Sequence, residues 1–175
     1  AKIAALERGA RAFLFASGSA ATATWCYAFL KSGDRLVAST ELYGGTAHFF
    51  DHYLPSLGVT VEKVNFHDLD TLDGALAGAS ACWFETPNNP TVRVVDGCAI
   101  ASLCRKYGVL SAIDNTFATP ILQKPIEWGI DWVMHSATKY LGGHTDLIGG
   151  VLIAAPGTDH KRIYDARKVL GGVMD

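Results

Sequence analysis

Short apolar runs alternate with helix-patterned stretches along this whole chain, and that alternation limits what it can fold into. The apolar runs fall at residues 12–15, 35–39, 59–64, 81–85, 109–114, 132–136 and 150–154. Between them, helical spacing of apolar residues marks 1–7, 20–30, 45–56, 69–76, 98–107, 121–128 and 160–169. Strands separated by helix-length connections argue a parallel sheet with crossover helices. Gly9, Gly33, Gly58, Gly78, Gly108 and Gly129 each stand just past a helical pattern and read as helix stops. No repeat, low-complexity tract or linker divides the 175 residues, so 1–175 is expected to be a single α/β domain with a real core.

Composition narrows the class. Hydrophobic residues make up 49% and charged residues 18%, which is globular rather than disordered. A formal charge of −2 offers no basic footprint, so neither nucleic acid nor an anionic membrane is an expected partner. The longest apolar run, 147–156, is too short and glycine-rich to span a bilayer, and residues 1–11 are too polar for a secretory leader. The four cysteines form no C-x-x-C pair, and two lie in apolar patterns. Free buried thiols and a cytoplasmic location are therefore expected. Residue 1 already lies in a helical pattern and the end at 170–175 has no closing element, so the chain reads as an internal piece of a longer protein.

The chemistry concentrates in Ser136-Ala137-Thr138-Lys139-Tyr140-Leu141-Gly142-Gly143-His144, directly after an apolar strand. Strand ends in α/β sheets are where ligand groups collect. A lone lysine there is ordinarily a solvated surface residue. Three features point elsewhere: the flanking hydroxyls of Ser136 and Thr138, a Gly-Gly pair that permits close backbone approach, and Asp114 at the end of an earlier apolar run. An amine able to form a Schiff base, a phosphate-sized anion site and a buried acid are the needs of a pyridoxal phosphate site.

Other stretches are weaker alone. Ser17-Gly18-Ser19 precedes a helix, whose unpaired first-turn N–H groups bind anions, although an N-cap serine explains it equally. Tyr43 in Tyr-Gly-Gly reads as a core cap or as an aromatic ring over a ligand. Pro87-Asn88-Asn89-Pro90 reads as a turn after a strand, with Glu85 in a structural role. Asp114-Asn115 suits a cap or turn, or else a buried acid that needs a partner. His135, His144 and Asp146 lie near one another without a metal-binding spacing, so no metal is assigned. The absence of G-x-G-x-x-G disfavours a dinucleotide-binding protein, and the absence of G-x-S-x-G disfavours a serine hydrolase.

Together, Ala16-Ser17-Gly18, Leu42-Tyr43-Gly44-Gly45-Thr46, Glu85-Thr86-Pro87-Asn88-Asn89-Pro90-Thr91, Asp114-Asn115-Thr116 and Ser136 to Gly143 resemble, in order, the motifs of the Cys/Met-metabolism (trans-sulfuration) family of pyridoxal-phosphate enzymes. The resemblance implies the large domain of fold-type I, with a mostly parallel seven-stranded sheet flanked by helices. It implies pyridoxal 5'-phosphate linked to Lys139, with Asp114 on the ring nitrogen. Tyr43 would stack on the ring and assist proton transfer, and Asn89 would contact the phenolic oxygen. Gly18 and Ser19 would hold the phosphate through their backbone, Ser136 and Thr138 would complete the cup, and Thr116 would join the cofactor-binding set. The implied activity is β- or γ-elimination, or γ-replacement, on a small amino-acid substrate such as cystathionine, methionine, cysteine or O-acylhomoserine. The alternative is a non-catalytic or weakly active piece of such an enzyme. Gly45 stands where methionine γ-lyases often carry cysteine, which leans toward the other members. The resemblance further implies a homo-oligomer built as a dimer of dimers. The family's upstream tyrosine and arginine, its downstream carboxylate-binding arginine and its C-terminal domain have no counterpart in this sequence, and Arg93 and Arg105 do not match those positions. Apolar surface is therefore expected to be exposed.

Overall fold

The computed structural model describes residues 2–174. Strands β1 (Arg11–Phe15), β2 (Arg35–Ser39), β3 (Thr60–Val64), β4 (Ala81–Glu85), β5 (Leu110–Asp114), β6 (Trp132–Ser136) and β7 (Gly150–Ala154) form one sheet, in the order β1-β7-β6-β5-β4-β2-β3. From β3 across to β6 every pairing is parallel, and β7 runs antiparallel to both β6 and β1. The mostly parallel seven-stranded sheet is the one the family resemblance implies, while β7 departs from the all-parallel pairing that the alternation of elements argues. β4 and β7 are buried along their whole length because helices cover both faces of the sheet. The edge strand β3 is more open, and its Glu62 and Lys63 form ion pairs with Arg35 and Asp51.

The helices are α1 (Lys2–Leu6), α2 (Gly18–Phe29), α3 (Gly44–His52), α4 (Leu69–Leu76), α5 (Gly97–Tyr107), α6 (Thr119–Leu122), α7 (Pro125–Trp128) and α8 (His160–Leu170). No helix among the described residues is long and apolar enough to cross a membrane. Alternation along the strands sorts the core into two layers. On one face Phe15, Leu36, Trp83, Trp132 and Leu152 pack with Trp25 of α2, Phe50 of α3 and Ile163 of α8. On the other, Val37, Phe84, Ile113, Val133 and Ile153 pack with Leu72 of α4 and Ile100 of α5.

Trp83 is the hub of the first layer. Its ring lies edge-on to Trp25 at 5.2 Å and to Phe50 at 5.9 Å, and it is fully buried. Trp83→Ala removes the ring and leaves a cavity between α2, α3 and the sheet, so it should cost about 3–5 kcal/mol. Urea denaturation should show a lower midpoint at unchanged slope, and a midpoint equal to that of the parent chain would show that the layer repacks.

The structure departs from the sequence expectations at several element ends. The helix expected over 45–56 stops at His52, and a 3₁₀ turn follows at Pro55–Leu57, because Pro55 has no N–H to donate to the preceding turn. The single helix expected over 121–128 is two short ones. Pro125 opens the second, and the residue before it, Lys124, is held out of the helical region at ψ 86°. Of the expected 1–7 helix, Ala1 lies outside the described residues. Gly9 is not the stop there: Arg8 takes the left-handed turn at φ 63°, while a Cβ on Gly9 would lie 2.3 Å from Ile153 Cγ2. Close packing on β7 is what calls for glycine at that position. All four cysteines are free, and three rather than two are buried, with only Cys98 exposed.

Candidate active site

Parallel strands deliver their carboxyl ends to one edge, where ligand sites of α/β sheets form. β2, β4, β5 and β6 end there, and two successive antiparallel pairings through β7 bring the end of β1 to the same edge. The loops leaving these ends enclose a cleft of about 240 Å³. Every candidate residue named from sequence lines it. Gly18 and Ser19 come from the start of α2, Tyr43 from the start of α3, and Asn89 from the loop after β4. Asp114 and Thr116 come from the end of β5, and Ser136, Thr138 and Lys139 from the end of β6.

One end of the cleft is built for an anion. Ser17 caps α2, its Oγ accepting the Ala20 N–H at 3.0 Å. It therefore serves as the ordinary cap, while the next two residues remain available. The N–H groups of Gly18 and Ser19 have no partner among the described residues and stand at the positive end of a 12-residue helix. The approach is tight. A Cβ at Gly150 would lie 2.1 Å from the Ser17 carbonyl oxygen, so only glycine lets β7 begin beneath this turn. A Cβ on Gly18 would meet Ser136 Cβ at 3.1 Å, which places the Ser136 side chain against the helix start. Thr138 Oγ1 accepts the Gly149 N–H at 3.1 Å and donates to the Gly149 carbonyl at 3.2 Å, tying the lysine-bearing turn to the residue just before β7.

The floor holds an acid. Asp114 Oδ1 accepts the Thr116 N–H at 2.9 Å and the Thr116 hydroxyl, and Thr116 Oγ1 accepts the Ser136 N–H at 2.8 Å. Thr116 thus links the acid to the hydroxyl-bearing turn. Oδ2 of Asp114 has no hydrogen bond among the described residues. Burial raises the Asp114 pKa; the two Thr116 hydrogen bonds and the nearby His135 imidazole oppose the rise without cancelling it. An N–H cation presented to Oδ2 would relieve that cost.

Behind Asp114 lies a polar cluster that no sequence motif reveals. Glu7, just past α1, and His135 of β6 are fully buried and meet at 2.5 Å, and Glu7 Oε1 also accepts from Asn115 Nδ2 at 2.7 Å. Asn115 Oδ1 accepts from Gln123 Nε2 at 2.7 Å. The residue next to Asp114 is therefore held by Glu7, by Gln123 and, through its own N–H, by the Met134 carbonyl at 2.9 Å. The only signal in the sequence is a histidine in an otherwise apolar strand. His144, by contrast, is exposed in the loop after Gly143.

The remaining wall carries Tyr43 and Asn89. Tyr43 is 49% exposed, and its Cε1 lies 2.6 Å from where a Cβ on Gly45 would sit, so the bare glycine makes room for the ring. Glu85, expected only to be structural, also lines the cleft. Its two oxygens accept the backbone N–H groups of Tyr43 and Asn89, each at 2.9 Å. Burial, the Asp114 charge and, more weakly, Glu41 push its pKa up to about 7 against those two hydrogen bonds. Thr46 and Pro87 of the motifs also line the cleft, as do Phe117 and Met134, which no motif marks.

An anion cradle, an amine, a buried acid with a free oxygen and a tyrosine on the wall of a cleft of about 240 Å³ suit pyridoxal 5'-phosphate. Comparison with known proteins points the same way. A family model described as Cys/Met metabolism PLP-dependent enzyme matches residues 1–175. A cystathionine gamma-synthase/O-acetylhomoserine (thiol)-lyase of Bacillus subtilis is 41% identical over 173 residues, covering 98% of this chain and 46% of the relative. An L-methionine gamma-lyase of Pseudomonas putida is 36% identical over 176 residues, 99% of this chain and 44% of the relative. The crystal structure of a cystathionine gamma-lyase from Lactobacillus plantarum, complexed with L-serine, superposes with a TM-score of 0.95 at 39% identity, over 98% of this chain and 45% of that one. The chain spans under half the length of these relatives.

Proposed function

We propose, for a chain that belongs to the Cys/Met metabolism PLP-dependent enzyme family, that it is the cofactor-binding large domain of a lyase or transferase acting on sulfur-containing or activated homoserine-type amino acids. The observation that carries this reading is the convergence of Lys139, Asp114 and the free N–H groups of Gly18 and Ser19 on one cleft. Pyridoxal phosphate, when bound, supplies an aldehyde for amines and a ring that accepts electrons released at the substrate Cα. Gly18 and Ser19 would hold the phosphate through their N–H groups and the Ser136 hydroxyl would add a donor; the Thr138 hydroxyl, which donates to the Gly149 carbonyl at 3.2 Å, would turn from it to join the cup. Asp114, through its free Oδ2, would accept the ring N–H and keep it protonated. Asn89 would orient the ring by its phenolic oxygen, and Tyr43 would cover its face. The Lys139 amine takes the Cα proton, and the Tyr43 hydroxyl hands a proton to the departing group. What adds after that departure decides between elimination and replacement, and none of these residues selects between them.

Exposed apolar residues support the accompanying homo-oligomer: Ile121 and Leu122 are each 78% exposed and Ile148 is 70% exposed, a surface that a second copy would cover. The test of the function is the visible spectrum of the purified protein before and after borohydride, followed by peptide mass spectrometry. A yellow protein whose reduced pyridoxyl mass sits on Lys139 is the expected result. A colourless protein that takes up no added cofactor overturns it.

A further inference from the structure

Two loops form the ring-facing wall of the cleft, and they come from different strands. One runs from β2 to α3 and carries Tyr43; the other follows β4 and carries Asn89. They are joined twice. On the outside, Glu41 pairs with Arg93 at 2.6 Å and accepts from the Asn88 amide, and Asn88 Oδ1 accepts the Arg93 N–H at 2.9 Å. On the inside one buried side chain does the joining. Glu85, 6% exposed at the end of β4, accepts the Tyr43 N–H through Oε2 and the Asn89 N–H through Oε1.

We propose that Glu85 is the positioning residue of the cleft, an ionised clamp that sets Tyr43 and Asn89 against the bound ring and loosens both when it takes up a proton. The inference rests on the cofactor reading above and adds to it a residue with no assigned part. An ionised carboxylate offers acceptors on both oxygens; protonation converts one of them into a donor facing an N–H. Hydrogen bonds to a charged acceptor are the stronger kind, so both loops lose support together.

The electrostatics make this clamp responsive near neutral pH. Glu85 sits in register with Asp114 on the adjacent strand. Burial first, then Asp114 and, more weakly, Glu41 disfavour its charge, and against the Asn89 and Tyr43 N–H groups they push its pKa up to about 7. Lys139 lines the same cleft from the turn after β6. A cationic ring N–H at Asp114 cancels the carboxylate that opposes Glu85, so ring binding promotes ionisation of Glu85. By reciprocity, ionised Glu85 promotes ring binding. Affinity therefore gains a component that rises with pH through about 7.

The test is Glu85→Gln in this full chain, because Gln copies the protonated carboxyl in shape and in having a single acceptor oxygen. The probe is 4'-deoxypyridoxine 5'-phosphate, which has the ring and phosphate but no aldehyde, so binding is read without turnover or covalent capture. The expected result is nearly equal affinity of parent and variant at pH 6 and about tenfold weaker binding by the variant at pH 8, the loss of one charge-assisted hydrogen bond. Taking the ratio of the two proteins removes the ligand's own titration. Amide hydrogen exchange without ligand should show lower protection at Tyr43 or Asn89 in the variant at pH 8. A ratio that does not change with pH, or unchanged protection at both amides, overturns the clamp. Should Glu85→Gln fail to fold, Glu85→Asp replaces it: one methylene shorter, it keeps the charge but cannot span both N–H groups, and parent-like protection at both amides overturns the proposal. Lowered protection in a chain whose parent form binds no probe at any pH sinks the cofactor reading and leaves the clamp standing.

Discussion

Lys139→Ala should abolish turnover and the covalent cofactor link while leaving the fold intact. The side chain is exposed in the turn after β6, and the turn is held by backbone bonds that alanine keeps: Lys139 N–H to Ser136 O at 3.1 Å and Gly143 N–H to Lys139 O at 2.8 Å. Truncation at such a site changes stability by no more than about 0.5 kcal/mol. The chemistry has no such reserve. The amine is the one lysine lining the cleft, and under the proposed mechanism it both holds the cofactor and moves the Cα proton. General-base removal alone costs about 10²–10⁴-fold, and loss of the covalent link adds to it. The measurement is kcat of the whole protein beside the urea midpoint of the variant, with mass spectrometry after borohydride. The variant should keep the anion cradle of Gly18 and Ser19 and bind cofactor reversibly. Turnover within tenfold of the parent would remove Lys139 from the mechanism.

How much of this was legible beforehand differs by element. Strands β2, β4, β6 and β7 fall on the residues expected, because each is a short apolar run bounded by polar or glycine residues. Helix ends were harder, since Pro55 and Pro125 act through the residues around them rather than through periodicity. The motif residues converge because each follows the carboxyl end of a strand, and parallel topology alone gathers such positions. Glu7 and His135 could not be read that way. They meet from opposite ends of the chain, across 128 positions, and nothing local to either one signals the other. Glu85 lies between: its strand-end position was visible, but its bonds to the Tyr43 and Asn89 N–H groups depend on how two loops fold back over it.

Asp114→Asn should cripple turnover and, without cofactor, stabilise the chain at neutral pH. The two signs have one cause. Asp114 is buried, its pKa is raised chiefly by desolvation, and an acid whose folded pKa exceeds its unfolded one destabilises the fold when ionised. The stability present below the unfolded pKa is lost as pH rises through the folded one, so the cofactor-free chain carries that cost at pH 8 and not at pH 4. Asparagine can keep an oxygen for the Thr116 N–H and hydroxyl, and it drops the charge. The variant's urea midpoint should therefore exceed the parent's at pH 8, and the difference should vanish toward pH 4. Turnover moves the other way. Under the proposed mechanism the charge that costs stability here is the one that would hold the ring nitrogen protonated, and removing one partner of a buried ion pair costs about 3–5 kcal/mol, or roughly two to four orders of magnitude in rate. The link to Lys139 should survive, because the amine and its turn are untouched. A variant that loses stability at pH 8 and retains turnover would make Asp114 a structural residue held by Thr116. A variant that gains stability and loses turnover marks it as a charge kept in place for the ligand it pairs with.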